Sequence, residues 1–197
     1  SIFPGFYDSG SLNTILGALD TGVTGLDFTP LTTQEQPFDQ EELDSSTSTD
    51  MQIGEFRTKN GKLYAISHDD HSEKGNPEVK YVRFRHRGSQ DHEYFLDWHQ
   101  ESQGTQKIIM LLPLLWIAVR SPIDLILLVD ALDNSLHTQL AKALIQGFLD
   151  TCTNRTRAQL IFITHDLLLM DCNELLRRDE IWITDKSIDG ESTLIGL

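Results

Sequence analysis

Apolar positions follow two regimes along the chain, short alternating runs before about residue 100 and long blocks after it. In the first regime, Leu12, Ile15, Leu16 and Leu19 recur at helical spacing ahead of Gly22 and Gly25, which predicts a short helix and then a strand within residues 1–33. EFRT and KLYAIS flank Asn60-Gly61, a pair that readily takes the positive φ values of a type I′ turn, so a hairpin is predicted there. KYVRFRHR alternates, with Val82, Phe84 and His86 on one face and Tyr81, Arg83, Arg85 and Arg87 on the other. Together with EYFLDW it predicts a small antiparallel sheet over residues 51–100. Between these runs, residues 34–50 are acidic, rich in Ser and Thr and poor in large apolar groups. Burial there cannot offset the entropy of ordering, so an acidic loop or disordered insertion is expected.

The second regime covers residues 101–197. Helices are predicted at about 105–119 and 135–149 and a short one at about 168–176, with strands at 124–129, 159–164 and 180–184. LILLV and LIFI do not alternate, as expected of strands buried on both faces of a parallel sheet. The fold class is therefore α/β, a parallel-sheet core with flanking helices preceded by a small antiparallel β/helical subdomain.

Composition narrows the setting. The longest apolar run, Ile108 to Val119, is broken by Pro113 and falls short of the roughly 20 residues a membrane span needs, so no membrane partner is expected. Cys152 and Cys172 show neither metal-ligand spacing nor a disulfide framework, and a reducing cytoplasm is the expected compartment. The first residues, SIFPGFYDSG, contain no Met and resemble no signal peptide, as in the start of a fragment. A net charge of −14 opposes nonspecific contact with a phosphate backbone. The arginine face of KYVRFRHR is a candidate anion contact, but a solvated face paired with the chain's carboxylates is the favoured reading.

Three segments carry candidate chemistry. Glu101-Ser102-Gln103-Gly104-Thr105-Gln106-Lys107 opens an apolar helix, and free N–H groups there, with a hydroxyl and a glycine, can hold a phosphate or simply cap the helix. LILLVDALDNSLH places Asp130 at the C-terminal end of a strand, where α/β proteins bind ligands and a carboxylate can hold Mg²⁺ through water. LIFITHD delivers His165 to the same edge one helix and one strand later. The stripe that follows Asp130, containing Leu136, Leu140, Ala143, Leu144 and Phe148, reads as core.

In this order the three segments resemble the signature, Walker B plus D-loop, and switch-histidine motifs of ABC-type ATPases of the RecF/SMC/Rad50 kind. With the tail LLRRDEIWITDKSIDGESTL they are more closely similar to the AAA-family ABC ATPases of bacterial abortive-infection and anti-phage systems. Residues 95–197 carry the resemblance, which implies the C-terminal lobe of an ATPase head. It further implies ATP and Mg²⁺ as cofactors, with Ser102 and Gly104 touching the γ-phosphate held by another protomer and Thr105 capping the signature helix. Asp130 would be the metal-site carboxylate, Asp133 and Ser135 would lie in the D-loop at a homo-oligomer seam, and His165 would contact the γ-phosphate.

Two departures stand out. Ala131 occupies the position where the family has the glutamate that orients the attacking water, and a methyl group can neither accept a proton nor orient a nucleophile. Hydrolysis should be crippled, and an engineered exchange is favoured over natural degeneration because the neighbouring motif residues survive. Nothing in the chain matches G-x-x-x-x-G-K-[ST]; the glycines at 22–25 and 54–61 lack the Gly-Lys-Ser/Thr ending. A lobe carrying Walker A is therefore an expected partner.

Three functions compete. One is an ATP-switched subunit of an anti-phage complex of the PARIS, Septu or retron-associated type, controlling an effector such as a nuclease. The second is a RecF- or Rad50-like DNA-repair head, disfavoured by the acidic balance and by the lack of a sustained heptad run. The third, a non-enzymatic interaction domain, requires all three ordered motifs to be coincidence.

Overall fold

A computed structural model describes residues 21–44, 55–67, 77–120, 124–152, 157–170 and 175–197. The helix expected over Leu12–Leu19 and the cysteine at 172 lie outside the described residues. The chain divides into two compact units, Ser1–Pro113 and Leu114–Leu197.

The first unit is built on a five-stranded antiparallel sheet. Its strands are β1 (Val23–Pro30), β2 (Glu55–Lys59), β3 (Lys62–Ser67), β4 (Glu78–Arg87) and β5 (Glu93–Leu96). The long central β4 pairs with β1 along one side; along the other it pairs first with β3 and then with β5. Asn60 and Gly61 join β2 to β3 with φ values of 54° and 74°, the two left-handed residues that a type I′ turn requires. Val82, Phe84 and His86 are buried on one face of β4, as the alternation predicts.

The opposite face corrects the loop-or-disorder expectation for residues 34–44. Gln40–Asp44 form a short helix, α1, and Leu43 is buried in a cluster with Tyr64, Ile66 and Val79, with Leu31, Phe38 and Tyr81 packed against it. Phe38 meets Tyr64 edge-on at 5.3 Å, and Lys59 binds the carboxylate of Glu42 at 2.7 Å. Two apolar side chains in an acidic stretch are enough to order it because each fills the sheet face; residues 45–54 lie outside the described residues. Farther along that face, Arg83 pairs with Asp27 at 2.9 Å and stacks over Phe95 at 4.7 Å, and Arg85 approaches Glu93 at 3.7 Å. The arginines there are engaged by carboxylates and an aromatic ring.

Helix α2 (Gln103–Arg120) carries Pro113, the residue at which the two units divide. The second unit contains the parallel pair β6 (Ile126–Val129) and β7 (Gln159–Phe162), with α3 (Thr138–Thr151) between them in sequence. Leu140, Ala141, Leu144, Ile145 and Phe148 form the buried stripe of α3; Ala143, expected in the stripe, is exposed, because the buried face runs through the neighbouring Ala141 and Ile145 instead.

Burial on both faces, expected of LILLV and LIFI, is not what the strands show. Leu128 is 67% exposed and Ile161 50%, neighbours in register, while Val129 on the other side is buried. One face of the parallel pair is thus apolar and open to solvent. A further correction concerns the last strand: β8 (Trp182–Lys186) does not join the parallel pair but forms an exposed antiparallel hairpin with β9 (Ser192–Gly196). Among the described residues, no helix is long and apolar enough to cross a membrane.

Candidate functional site

In the first unit, Asp97 and the turn Trp98–Gln100 lead from β5 into the signature segment, and several contacts fasten this approach to the sheet. The Tyr81 hydroxyl donates to the Asp97 carboxylate, the His99 N–H donates to the Gly61 carbonyl at 3.0 Å, and the Gln106 amide donates to the Trp98 carbonyl at 2.6 Å. The pKa of Tyr81 is raised, chiefly because the ring is buried and then because its hydroxyl donates a hydrogen bond to Asp97. Ser102 Oγ accepts the Thr105 N–H at 3.1 Å and lies 2.9 Å from Thr105 Oγ1. Ser102 is therefore the capping residue. Thr105, expected to cap, is instead buried in the first turn as the recipient, because a residue already inside the helix has its own N–H to be satisfied. Gly104 lies beside it in the same turn, half-buried.

In the second unit, β6 ends at Val129, and Asp130 follows it with its side chain exposed. The backbone then turns sharply. Ala131 has φ 48° and Ser135 φ 64°, both left-handed, and the Asn134 and Leu136 N–H groups close successive turns on the Ala131 and Asp133 carbonyls. The turn is laced to β7, where the Leu132 N–H donates to the Ile163 carbonyl at 2.8 Å and the Ile163 N–H to the Val129 carbonyl at 3.0 Å.

The decisive contact is made by Asp133, whose Oδ1 accepts the backbone N–H of His165 at 3.1 Å. A hydrogen bond from the Thr164 side chain, and then backbone bonds including that of His165, hold its carboxyl below the usual aspartate value. The residue read as part of a D-loop thus fixes the strand end that presents His165. No such contact was predicted, because sequence spacing does not show which side chain bridges two loops.

Three neighbours escaped the sequence reading. His137 Nδ1 accepts the Leu140 N–H at 3.2 Å and so caps α3, and Thr138 donates to Asp166 at 2.5 Å, tying the start of α3 to the residue after His165. Thr164 Oγ1 accepts the Asp166 N–H at 3.0 Å. The only signal for these was their place, immediately before a helical stripe and immediately beside His165.

The structure therefore brings Asp130, Ala131, Asp133, Ser135 and His165 to one edge of the parallel pair, while Ser102, Gly104 and Thr105 belong to the first unit. Asp130, an exposed carboxylate just past the strand end, could meet a hydrated Mg²⁺. Among the described residues, no three His, Cys, Asp or Glu groups gather as a metal cage. One exposed carboxylate with water and phosphate oxygens is how Mg²⁺ is commonly held.

No curated protein matches the chain, and no solved structure matches it. A family match does, covering residues 33–171, well over half of the chain, from the end of the first strand's loop to just past His165. The chain belongs to the family described as "AAA domain, putative AbiEii toxin, Type IV TA system", an AAA-type ATPase domain of the abortive-infection and toxin–antitoxin context.

Proposed function

We propose that this chain supplies the signature, Walker B and switch-histidine half of an ATP site in a bacterial abortive-infection complex, where ATP binding joins protomers and the assembly controls a toxic effector such as a nuclease. The observation that carries the reading is the Asp133–His165 contact, which holds the Asp130 turn and the histidine at one sheet edge.

Asp130 would take Mg²⁺ bound to the nucleotide, and the exposed His165 would contact the γ-phosphate. When bound, Mg²⁺ neutralises charge on the transferring phosphate. Ser102 and Gly104, at the first turn of α2, would close over the nucleotide of a second protomer through the free N–H groups of the helix end. Ala131 gives the attacking water no base, so the assembly would persist with ATP bound. The phosphate-binding loop, absent from the sequence, would come from another lobe, and the open apolar face bearing Leu128 and Ile161 is where such a lobe would cover the parallel pair.

The test is ATP hydrolysis by the full-length protein carrying Ala131→Glu, with and without duplex DNA. DNA-independent turnover, with a second protein co-purifying, supports the defence reading. Strong stimulation by DNA supports the RecF- or Rad50-like repair reading instead.

A further inference from the structure

Directly before Ser102, the side chain of Glu101 is buried, with only 4% exposed, and its Oε1 lies 2.6 Å from Nε2 of His86, itself 9% exposed. His86 stands on β4 and is stacked on Tyr94 of β5, with ring centroids 5.2 Å apart and 18° between planes. Gly22 approaches from the other side, where a Cβ would sit 3.5 Å from His86 Nδ1. The imidazole is thus fixed before it meets the carboxylate.

A buried acid–imidazole pair adds little stability over a well-packed apolar pair, because desolvating the groups offsets their attraction. It does select one arrangement. An unpaired buried carboxylate is costly, so the backbone at Glu101 is held where His86 can reach it. The next residue is Ser102, exposed and capping α2. The Gln106 amide also reaches back to the carbonyl of Trp98 at 2.6 Å, bracing the same turn from within α2.

We infer that Glu101 is a positioning residue, clamped by His86, that sets the orientation of the Ser102–Gly104 turn toward a neighbouring protomer's nucleotide. The inference rests on the ATP reading proposed above. Glu101 does not touch nucleotide. It acts through the turn, so its loss should weaken assembly across protomers and leave a protomer's own hold on nucleotide intact.

The experiment measures, in the full-length protein, the ATP concentration for half-maximal assembly by light scattering, and separately the affinity of dilute protomers for a fluorescent ATP analogue. Glu101→Ala should raise the first on the order of tenfold to a hundredfold, the scale of a misplaced contact group, and leave the second unchanged. Glu101→Gln, which keeps a hydrogen-bonding partner for His86, should assemble close to the unsubstituted protein. Should Glu101→Ala not fold, His86→Phe carries the test, since it keeps the stacked ring and removes the nitrogen facing Glu101; the same loss of assembly is expected. Ser102→Arg serves as the reference. If it abolishes assembly while Glu101→Ala or His86→Phe assembles at the unsubstituted protein's ATP concentration, the clamp is refuted and the ATP reading stands. If Ser102→Arg has no effect, the ATP reading falls and the clamp with it.

Discussion

Asp133 and His165, 32 residues apart in sequence, are joined by a hydrogen bond from the His165 backbone to the Asp133 carboxylate. Asp133 also takes a bond from the Thr164 side chain, so one carboxylate ties the turn after β6 to the end of β7. Replacing it by Ala should cost about 1–2 kcal/mol, a charge-assisted bond discounted for partial exposure. Urea unfolding of Asp133→Ala checks this, and an unchanged midpoint would show that the turn is held by backbone bonds alone.

The same contact has a pH signature. Because the folded Asp133 carboxyl lies below its ordinary value of 3.8, its stabilisation is fully present above that value and is lost as pH falls through the lowered folded value. The stability gap between the unsubstituted protein and Asp133→Asn should hold from neutral pH down to about pH 4 and close below it. Parallel unfolding curves at several acidic pH values measure the gap, and one that closes at higher pH would assign the effect to another group.

Ala131 sits in left-handed backbone, φ 48°, a conformation that costs a non-glycine residue about 1–2 kcal/mol. Ala131→Gly should stabilise the protein by about 1 kcal/mol, net of the entropy glycine loses on folding. Ala131→Glu should change stability little, since both residues carry a Cβ. Thermal unfolding of the pair separates backbone strain from the chemistry of the position.

At Gly61 an added Cβ would face both a φ of 74° and the His99 ring at 3.2 Å. Gly61→Ala should therefore destabilise the β2–β3 hairpin by about 1–2 kcal/mol. It should also loosen the His99–Gly61 bond, read as faster exchange of the His99 amide.

Leu43 tests the correction to the acidic segment. Leu43→Ala should cost about 2–3 kcal/mol, as for a buried leucine. A loss under about 0.5 kcal/mol, the range of surface substitutions, would return the segment to a surface loop.

Much of the architecture was legible in the sequence because period and turn chemistry agree there. The alternation of Val82, Phe84 and His86, the Asn60-Gly61 pair and the stripe on α3 each predicted what the structure contains. Elsewhere the sequence was mute for physical reasons. A five-residue helix shows less than two turns of periodicity, so α1 was hidden among carboxylates. Trp182-Ile183 reads as a strand with no partner named by the sequence, and only the register with Ile195 and Gly196 shows it to be half of an exposed hairpin. The order of Ser102, Asp130 and His165 was visible in the sequence; the Asp133 bridge and the His86–Glu101 clamp were not, because both join segments that only folding brings together.

On the proposed function, the Asp130–His165 edge is the hydrolytic half of an ATP site stalled at Ala131. The most direct measurement is steady-state ATP turnover by the full-length protein with Ala131→Glu, alone and combined with Asp130→Asn. A glutamate that orients the attacking water there should raise turnover by orders of magnitude in the single substitution, and the double should lose that gain. Turnover that Ala131→Glu leaves unchanged, or that survives Asp130→Asn, would contradict the proposal.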